Sequence, residues 1–254
     1  MGRYPSSVAG HPLASPHGGS PSIQQPDYWW YRARSDMLRT VLGPYVGSPE
    51  RVLDVGSADG PSVGWLSAPQ KVSLDLDPRG LRPPVGICGS VLALPFADAS
   101  FEVVGAFDVL EHCEPEDLAL TELHRVLEPA GRLLLSVPAY QWAWSDHDVA
   151  NGHHRRYTRD RAAAAVRAAG FDVVRATYGF AAVFPAFAAE RAVRSVRHRL
   201  APTRQPGPAD VVAVPSVSPR AERLLLRLCR WDEWVLDHRD LPFGSSVFLA
   251  AVKQ

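Results

Sequence analysis

The sequence predicts an α/β fold with a mostly parallel sheet, and three observations carry that reading. Val52, Leu53 and Val55 form a short apolar run around Asp54 that leads directly into a turn bearing Gly56 and Gly60. Twenty-one residues after Asp54, the run 71–75 again ends in a carboxylate, Asp75. Beyond it, apolar runs of strand length alternate with helical periods, the pattern of βαβ units rather than of separate α and β regions. Glycines in the first turn let the backbone approach a ligand and turn sharply into a helix. An acid ending the second strand can accept hydrogen bonds from both ribose hydroxyls.

The elements follow in order. Residues 1–26 are rich in Ser, Pro, Gly and His without periodicity, and are expected to be a disordered tail. The domain then runs over 27–254. An amphipathic helix is expected over 28–42, with Trp30, Met37, Leu38 and Val41 near one face. Strand 51–55 comes next, then a helix from about 61, strand 71–75, a short third strand at 85–88 and strand 101–107. A helix over 115–127 places Leu118, Leu123, Val126 and Leu127 toward the sheet. Strand 132–138 leads into a long polar loop. Thr158 suits a helix N-cap, that helix ends near Gly170, and 171–176 starts a sixth strand. The seventh strand is placed at 246–252. Some sixty residues, 179–243, stand between the last two strands: an apolar stretch 179–193, an Arg-rich segment 191–199, a Pro-rich loop 201–219 and a helix 220–237. They are expected to form a helical cap packed on the sheet. The rival is a docking surface in which 179–199 touches a membrane peripherally.

The ligand chemistry follows from the first loop. Its spacing is Gly56-x-x-x-Gly60, not the G-x-G-x-x-G of a dinucleotide site, and Asp54 and Asp59 put negative charge where a pyrophosphate would sit. A phosphate-free, cationic nucleoside suits such a loop, and S-adenosylmethionine is that ligand. Leu53-Asp54-Val55-Gly56 resembles the first motif of class I S-adenosylmethionine-dependent methyltransferases, and Asp75 their ribose-binding acid. The stretches 89–104, 107–112 and 128–138 resemble, in order, the third-strand exit, the segment after strand four and the fifth-strand region of the same type 11/23-like group. The resemblance covers about 28–178. It implies a Rossmann-like doubly wound seven-stranded sheet with a helical insertion before the last strand, and S-adenosylmethionine as cofactor. It further implies cofactor contacts from Asp54, Gly56, Ser57, Gly60, Asp75, Leu76, Ser90, Val91 and Phe107, with Tyr31 and Arg34 near the methionine end. Phe107 reads equally as strand-end core. Two departures stand out: Ala58 replaces the middle glycine, and Ser90 replaces the acid that meets adenine, so that Asp98 or a backbone amide would take over that contact.

Ligands in open α/β sheets bind beyond the C-terminal ends of the strands, and the loop after the fifth strand lies there. The segment 145–158, together with Trp29-Trp-Tyr-Arg-Ala-Arg34, resembles methyltransferases found with glycosyltransferases and surface-polysaccharide pathways. A hydroxyl acceptor must lose a proton, and histidine is the side chain suited to take it near neutral pH. His153 or His147 is the expected base, with Asp148 orienting a histidine or holding the acceptor. Tyr140, Trp144, Arg155, Arg156 and Tyr157 are expected to bind the acceptor. The alternative is that one arginine pairs with Asp146 or Asp148 and that the histidines only tie the loop to the next helix. Glu111 and His112 are expected to do no more than cap a turn. His147, His153, His154 and two aspartates lack the paired spacing of zinc motifs, so no metal is expected.

Composition narrows the classes further. Lys+Arg and Asp+Glu are both 27, which gives no general pull toward nucleic acid. No Asp-Pro-Pro-Tyr, Asn-Pro-Pro-Tyr or Pro-Cys nucleophile segment is present, so a nucleic-acid acceptor is not expected. Cys88, Cys113 and Cys229 are odd in number and scattered, as in a reduced cytoplasmic protein. The resulting expectation is a cytoplasmic methyltransferase acting on a hydroxyl of a sugar, a glycolipid intermediate or a related metabolite. The rivals are an N- or C-methyltransferase of a secondary metabolite and a non-catalytic scaffold with the same fold.

Overall fold

The apolar runs pair into one seven-stranded sheet in a computed structural model that describes residues 28–57, 63–78, 81, 85–200 and 217–254. The expected tail 1–26, Gly60 and most of the Pro-rich loop lie outside the described residues. The strands are β1 (Arg51–Val55), β2 (Gln70–Asp75), β3 (Val85–Cys88), β4 (Phe101–Phe107), β5 (Leu127–Pro138), β6 (Phe171–Gly179) and β7 (Ser246–Lys253). Their spatial order is β3-β2-β1-β4-β5-β7-β6, with β7 antiparallel to both of its neighbours and every other pair parallel. The winding reverses between β1 and β4, and a ligand crevice opens at such a switch point. Central strands covered on both faces are apolar throughout: Val52, Leu53, Leu133, Leu134, Leu135 and Leu249 are all fully buried.

Among the described residues six α-helices accompany the sheet: α1 (Trp29–Leu42), α2 (Glu116–Val126), α3 (Asp146–Ala150), α4 (Arg159–Ala168), α5 (Phe184–Leu200) and α6 (Pro219–Leu236). On α1, Ala33, Met37, Leu38, Val41 and Leu42 are buried at helical spacing, while Trp30 is half-buried against Phe180, ring centroids 4.4 Å apart. On α4, the Thr158 hydroxyl accepts from the Arg161 N–H at 3.2 Å. Gly170 takes φ +92°, the left-handed conformation that ends a helix.

Three expectations change. Leu118 points outward, 43% exposed, while Ala119, Leu120, Leu123 and Val126 make the buried stripe of α2. At 100° per residue Leu118 falls on the flank opposite that stripe. β5 begins at Leu127, five residues earlier than the turn-like Glu-Pro-Ala-Gly suggested. Leu127 already pairs with Phe101, and the ladder resumes after an irregularity with Arg132 beside Val103. Finally, the described residues 63–69 form turns, although Val63 and Leu66 still enter the core.

Helices α5 and α6 stand between β6 and β7, and α6 lies against α1. Arg175 on β6 binds the three pieces: it donates to the carbonyls of Val41 (3.3 Å) and Leu236 (2.6 Å) and pairs with Asp240 at 3.0 Å. Asp232 of α6 is fully buried and accepts from the Ala182 N–H at 3.1 Å. Burial pushes its carboxyl up to about 6, against the pull of those backbone donors.

Candidate active site

Two groups of residues meet at the C-terminal rim of the sheet. The first surrounds the β1 turn. Gly56 has φ +75°, its N–H donates to the Leu74 carbonyl at 2.8 Å, and a Cβ there would come within 2.5 Å of Val109. Only glycine meets both conditions. Asp54 is buried and pairs with Lys71 Nζ at 3.2 Å, so this acid anchors β1 to β2. Ser57 is 1% exposed, and its hydroxyl has no hydrogen-bond partner among the described residues. A buried orphan hydroxyl beside a left-handed glycine suits a ligand that brings its own polar groups. Asp75 ends β2, with Oδ1 accepting from the Asp77 N–H at 2.8 Å. Leu76 next to it is 69% exposed, as a side chain lying over a bound ring would be in the free protein. Ser90 Oγ accepts from the Leu92 N–H at 3.1 Å, and Val91 is buried beside it. Asp98 is turned away: it is exposed and paired with Arg125 at 2.8 Å, in a clamp that also takes the Leu94 and Phe96 carbonyls. Phe107 is core, 3% exposed and 6.0 Å from the Trp65 ring.

The second group is densely cross-linked. Arg34 of α1 is buried, donates to Asp108 Oδ2 at 3.0 Å and to Ser136 Oγ at 3.2 Å, and Ser136 Oγ in turn donates to Asp108 Oδ1 at 3.0 Å. Asp108, one residue past β4, sits at φ +56°, a costly conformation outside glycine that this bonding holds in place. Tyr31, one turn before Arg34 on the same helix, is half-buried and lies 6.0 Å from Tyr28.

Past β5, Asp148 is fully buried at the start of α3 and accepts five hydrogen bonds. They come from the Ser145 N–H (2.8 Å) and hydroxyl (3.2 Å), from Arg156 Nε (2.7 Å) and Nη2 (3.0 Å), and from His153 Nδ1 (2.9 Å). Burial alone would raise its carboxyl, but the bonds from His153 and Arg156 prevail and hold it well below the carboxylate range. An ionised Asp148 makes His153 Nδ1 the donor, so that in the neutral ring the lone pair lies on Nε2. His153 is 10% exposed, its ring 4.6 Å from that of His112 and 6.3 Å from that of His147. His147, on α3, is exposed.

The expected acceptor residues divide. Arg156 and Tyr157 are buried and committed to protein partners: Arg156 to Asp148 and the Ala139 carbonyl, Tyr157 through its hydroxyl to Glu116 at 2.5 Å. Burial, then Glu116, raises the Tyr157 phenol. Arg155 donates to the Cys113 carbonyl at 2.9 Å and pairs with Glu114 and Glu116. Their charges are spent on fixing the loop. Tyr140 and Trp144 stay half-buried at the rim. Tyr140 is stacked between Tyr178 (5.3 Å) and Trp142 (5.8 Å), with its phenol pushed up to about 12 by burial and then by Tyr178.

Asp108, Ser136 and Glu116 did not emerge from the sequence. Asp108 had a signal, an acid directly after a buried strand, whereas Glu116 looks like an ordinary first-turn helix acid. Glu111, His112 and His153 also bring ligand-type atoms within 4.8 Å of one another, so by spacing they could hold a metal ion. Glu111, however, is fully enclosed. Burial and then Asp108 raise its carboxyl well above the usual range, and neither of its oxygens has a hydrogen-bond partner among the described residues.

Comparison with known proteins adds the family. Residues 53–135 match the family described as a methyltransferase domain. The malonyl-[acyl-carrier protein] O-methyltransferase of Herminiimonas arsenicoxydans is 40% identical over 94 residues, 34% of this chain and 36% of that protein. The demethylmenaquinone methyltransferase of Beutenbergia cavernae is 31% identical over 119 residues, 43% and 47% of the two chains. The chain thus spans roughly a third to a half of the length of these curated relatives. Among solved structures, the [4+2]-cyclase SpnF superposes with a TM-score of 0.52 at 22% identity, covering 86% of this chain and 79% of its own, a likeness of fold alone. The strand order, the β1 turn and the matched segment define a class I fold. Over residues 53–135 this chain thus matches a methyltransferase domain, set in a class I methyltransferase fold.

Proposed function

We propose that this chain is an enzyme that moves a methyl group from S-adenosylmethionine to a hydroxyl oxygen of a sugar, a glycolipid intermediate or a related small metabolite. The observation that carries the reading is the Arg156–Asp148–His153 chain at the sheet's C-terminal rim. In it, a buried ionised carboxylate fixes one tautomer and one orientation of an imidazole that keeps 10% of its surface exposed. Gly56 and Ser57 would take the amino-acid end of the cofactor, Asp75 the ribose hydroxyls, and the Ser90–Val91 backbone the adenine. The bound sulfonium supplies an activated methyl carbon. His153 Nε2 would receive the proton that the acceptor hydroxyl loses on methylation, and Asp148 would stabilise the imidazolium so formed. Tyr140 and Trp144 offer the flat apolar surfaces on which a sugar face stacks. Helices α5 and α6, within the stretch 179–243, would cap this side of the sheet. The relatives named as O-methyltransferases support oxygen as the atom methylated, and a cytoplasmic location follows if the acceptor is made there.

The test is methyl transfer from labelled S-adenosylmethionine to a panel of glycosides and lipid-linked sugars, with His153→Ala in parallel. The reading predicts a methylated product and a fall in turnover of about a hundredfold or more in His153→Ala, with S-adenosylhomocysteine affinity unchanged. Equal turnover in the two proteins would remove His153 from the chemistry. Absence of any product across the panel, with cofactor bound, would favour the scaffold reading.

A further inference from the structure

Helix α6 carries a surface that methyl transfer does not use. Its 18 residues bury Cys229, Asp232, Val235 and Leu236 on one side. On the other, Arg220, Arg223, Leu224, Arg227, Arg230, Trp231 and Trp234 are exposed at spacings of three and four residues, one continuous stripe. Trp234, Leu224 and Trp231 are 62%, 58% and 53% exposed, values rare for such side chains on a solvated helix. None of the four arginines is within ion-pair or hydrogen-bond distance of a partner among the described residues, although Arg230 is near enough to Glu233 to draw down a carboxyl that burial raises. The helix does contain acids, but Glu222, Asp232 and Glu233 all lie off the stripe, half-buried or buried. In a chain with equal numbers of acidic and basic residues, this segregation is local and cannot come from overall charge.

We propose that this stripe docks the protein on an anionic lipid surface, with α6 lying in the plane of the headgroups. A straight helix bearing arginines interleaved with tryptophans and a leucine has the composition of an interfacial helix. The guanidinium groups meet the phosphates, and the indoles settle at the boundary with the acyl chains. The four charges draw α6 to the surface, and each contributes about fivefold in affinity near an anionic bilayer. A second copy of this chain fits less well, because a two-fold contact through the stripe would set four unpaired arginines against four more. Nucleic acid would accept the charge, but it gives no reason for large apolar side chains along the full length of the stripe. No helix among the described residues is long and apolar enough to cross a bilayer, so the contact is peripheral. The sequence offered a membrane contact only as the rival reading of 179–199; the stripe argued here lies on α6 instead. The inference deepens the glycolipid side of the proposed function and rests on it only for biological sense, not for its geometry.

The test is co-sedimentation of the full chain with vesicles of phosphatidylcholine alone and of phosphatidylcholine with phosphatidylglycerol. Two variants accompany it, Arg223→Glu/Arg227→Glu/Arg230→Glu and Trp231→Ser/Trp234→Ser, with S-adenosylhomocysteine titration as the check that each remains folded. The proposal predicts binding to the anionic vesicles only, lost in the triple arginine variant. It predicts binding weakened at least about tenfold in the double tryptophan variant, where the two indoles no longer enter the interface, and suppressed by high salt. Three results would overturn it: no binding of the wild type to anionic vesicles, equal binding by the variants, or a stripe that instead binds a short RNA or drives dimerisation in sedimentation. Every variant surface lies outside the cofactor loop. Vesicle binding can therefore fail while cofactor binding persists, and the reverse.

Discussion

The two sides of the sheet's C-terminal rim are built in opposite ways. Around β5, most polar side chains are bonded to another part of the protein, the buried Glu111 carboxyl beside His153 being the exception: Asp148 alone takes five hydrogen bonds, and Arg34, Asp108 and Ser136 close a ring between α1, β4 and β5. Around β1 and β2, the Ser57 hydroxyl is buried without a partner, Leu76 is exposed, and the turn runs on a glycine that tolerates no side chain. On the proposed function, the acceptor side would be largely ordered before anything binds, whereas the cofactor side would be completed by its ligand. A group that aligns a proton transfer has to be held in advance. A cofactor site can leave hydrogen-bonding capacity unfilled until the cofactor fills it.

The contrast is open to attack from both sides. Arg156→Leu leaves the Asp148 carboxylate buried with its main counter-charge gone, and should destabilise the protein by about 3–5 kcal/mol in urea unfolding. S-adenosylhomocysteine affinity should hardly change under conditions where the variant is folded. Adding Asp148→Leu to that variant should recover part of the loss, since no charge is then stranded. Gly56→Ala attacks the other side. Strain at positive φ and the clash with Val109 should cost about 1–3 kcal/mol, but cofactor affinity should fall at least about tenfold, the opposite pattern to Arg156→Leu. Away from both sides, Asp232 has its carboxyl raised from 3.8 to about 6 by burial. Between those two values the folded state keeps a proton that the unfolded state has released, so stability falls as pH rises through this window and levels off above it. Relative to Asp232→Asn, the wild type should lose about 2 kcal/mol across it, read from urea midpoints at pH 4 and 6.5. The smallest effect belongs to Leu118→Ala, which should stay within about 0.5 kcal/mol because the side chain faces water. Leu120→Ala, two residues away but buried, should cost about 2–5 kcal/mol.

Much of this molecule was legible in its sequence, and the gaps have physical causes. The strands were readable because central strands of a parallel sheet are apolar throughout, and the β1 turn because its glycine and acids sit at spacings that a nucleoside imposes. The start of β5 was misplaced because Glu-Pro-Ala-Gly has the composition of a turn, while Leu127 is already hydrogen-bonded to the neighbouring strand. Leu118 was assigned to the core by residue type, although its neighbours Ala119 and Leu120 set the buried direction. In the histidine-rich loop the residue types suggested a base, but periodicity does not say which arginine meets which acid. That Arg156 rather than Arg155 neutralises Asp148, and that Glu116 gathers Tyr157, Arg155 and Arg161, depends on how two distant segments cross. The Asp108–Arg34 pair joins residues 74 positions apart and left only a weak trace, an acid directly after a buried strand.

The most direct test of the central claim is calorimetric titration of ligand-free protein with S-adenosylhomocysteine, with Asp75→Ala alongside. The account predicts saturable one-site binding by the wild type. Losing the hydrogen bonds of Asp75 to the ribose should weaken it by at least about tenfold. A wild type that shows no binding, or an Asp75→Ala variant that binds equally well, would mean that the end of β2 does not hold a nucleoside, and the cofactor site proposed for this chain would be wrong.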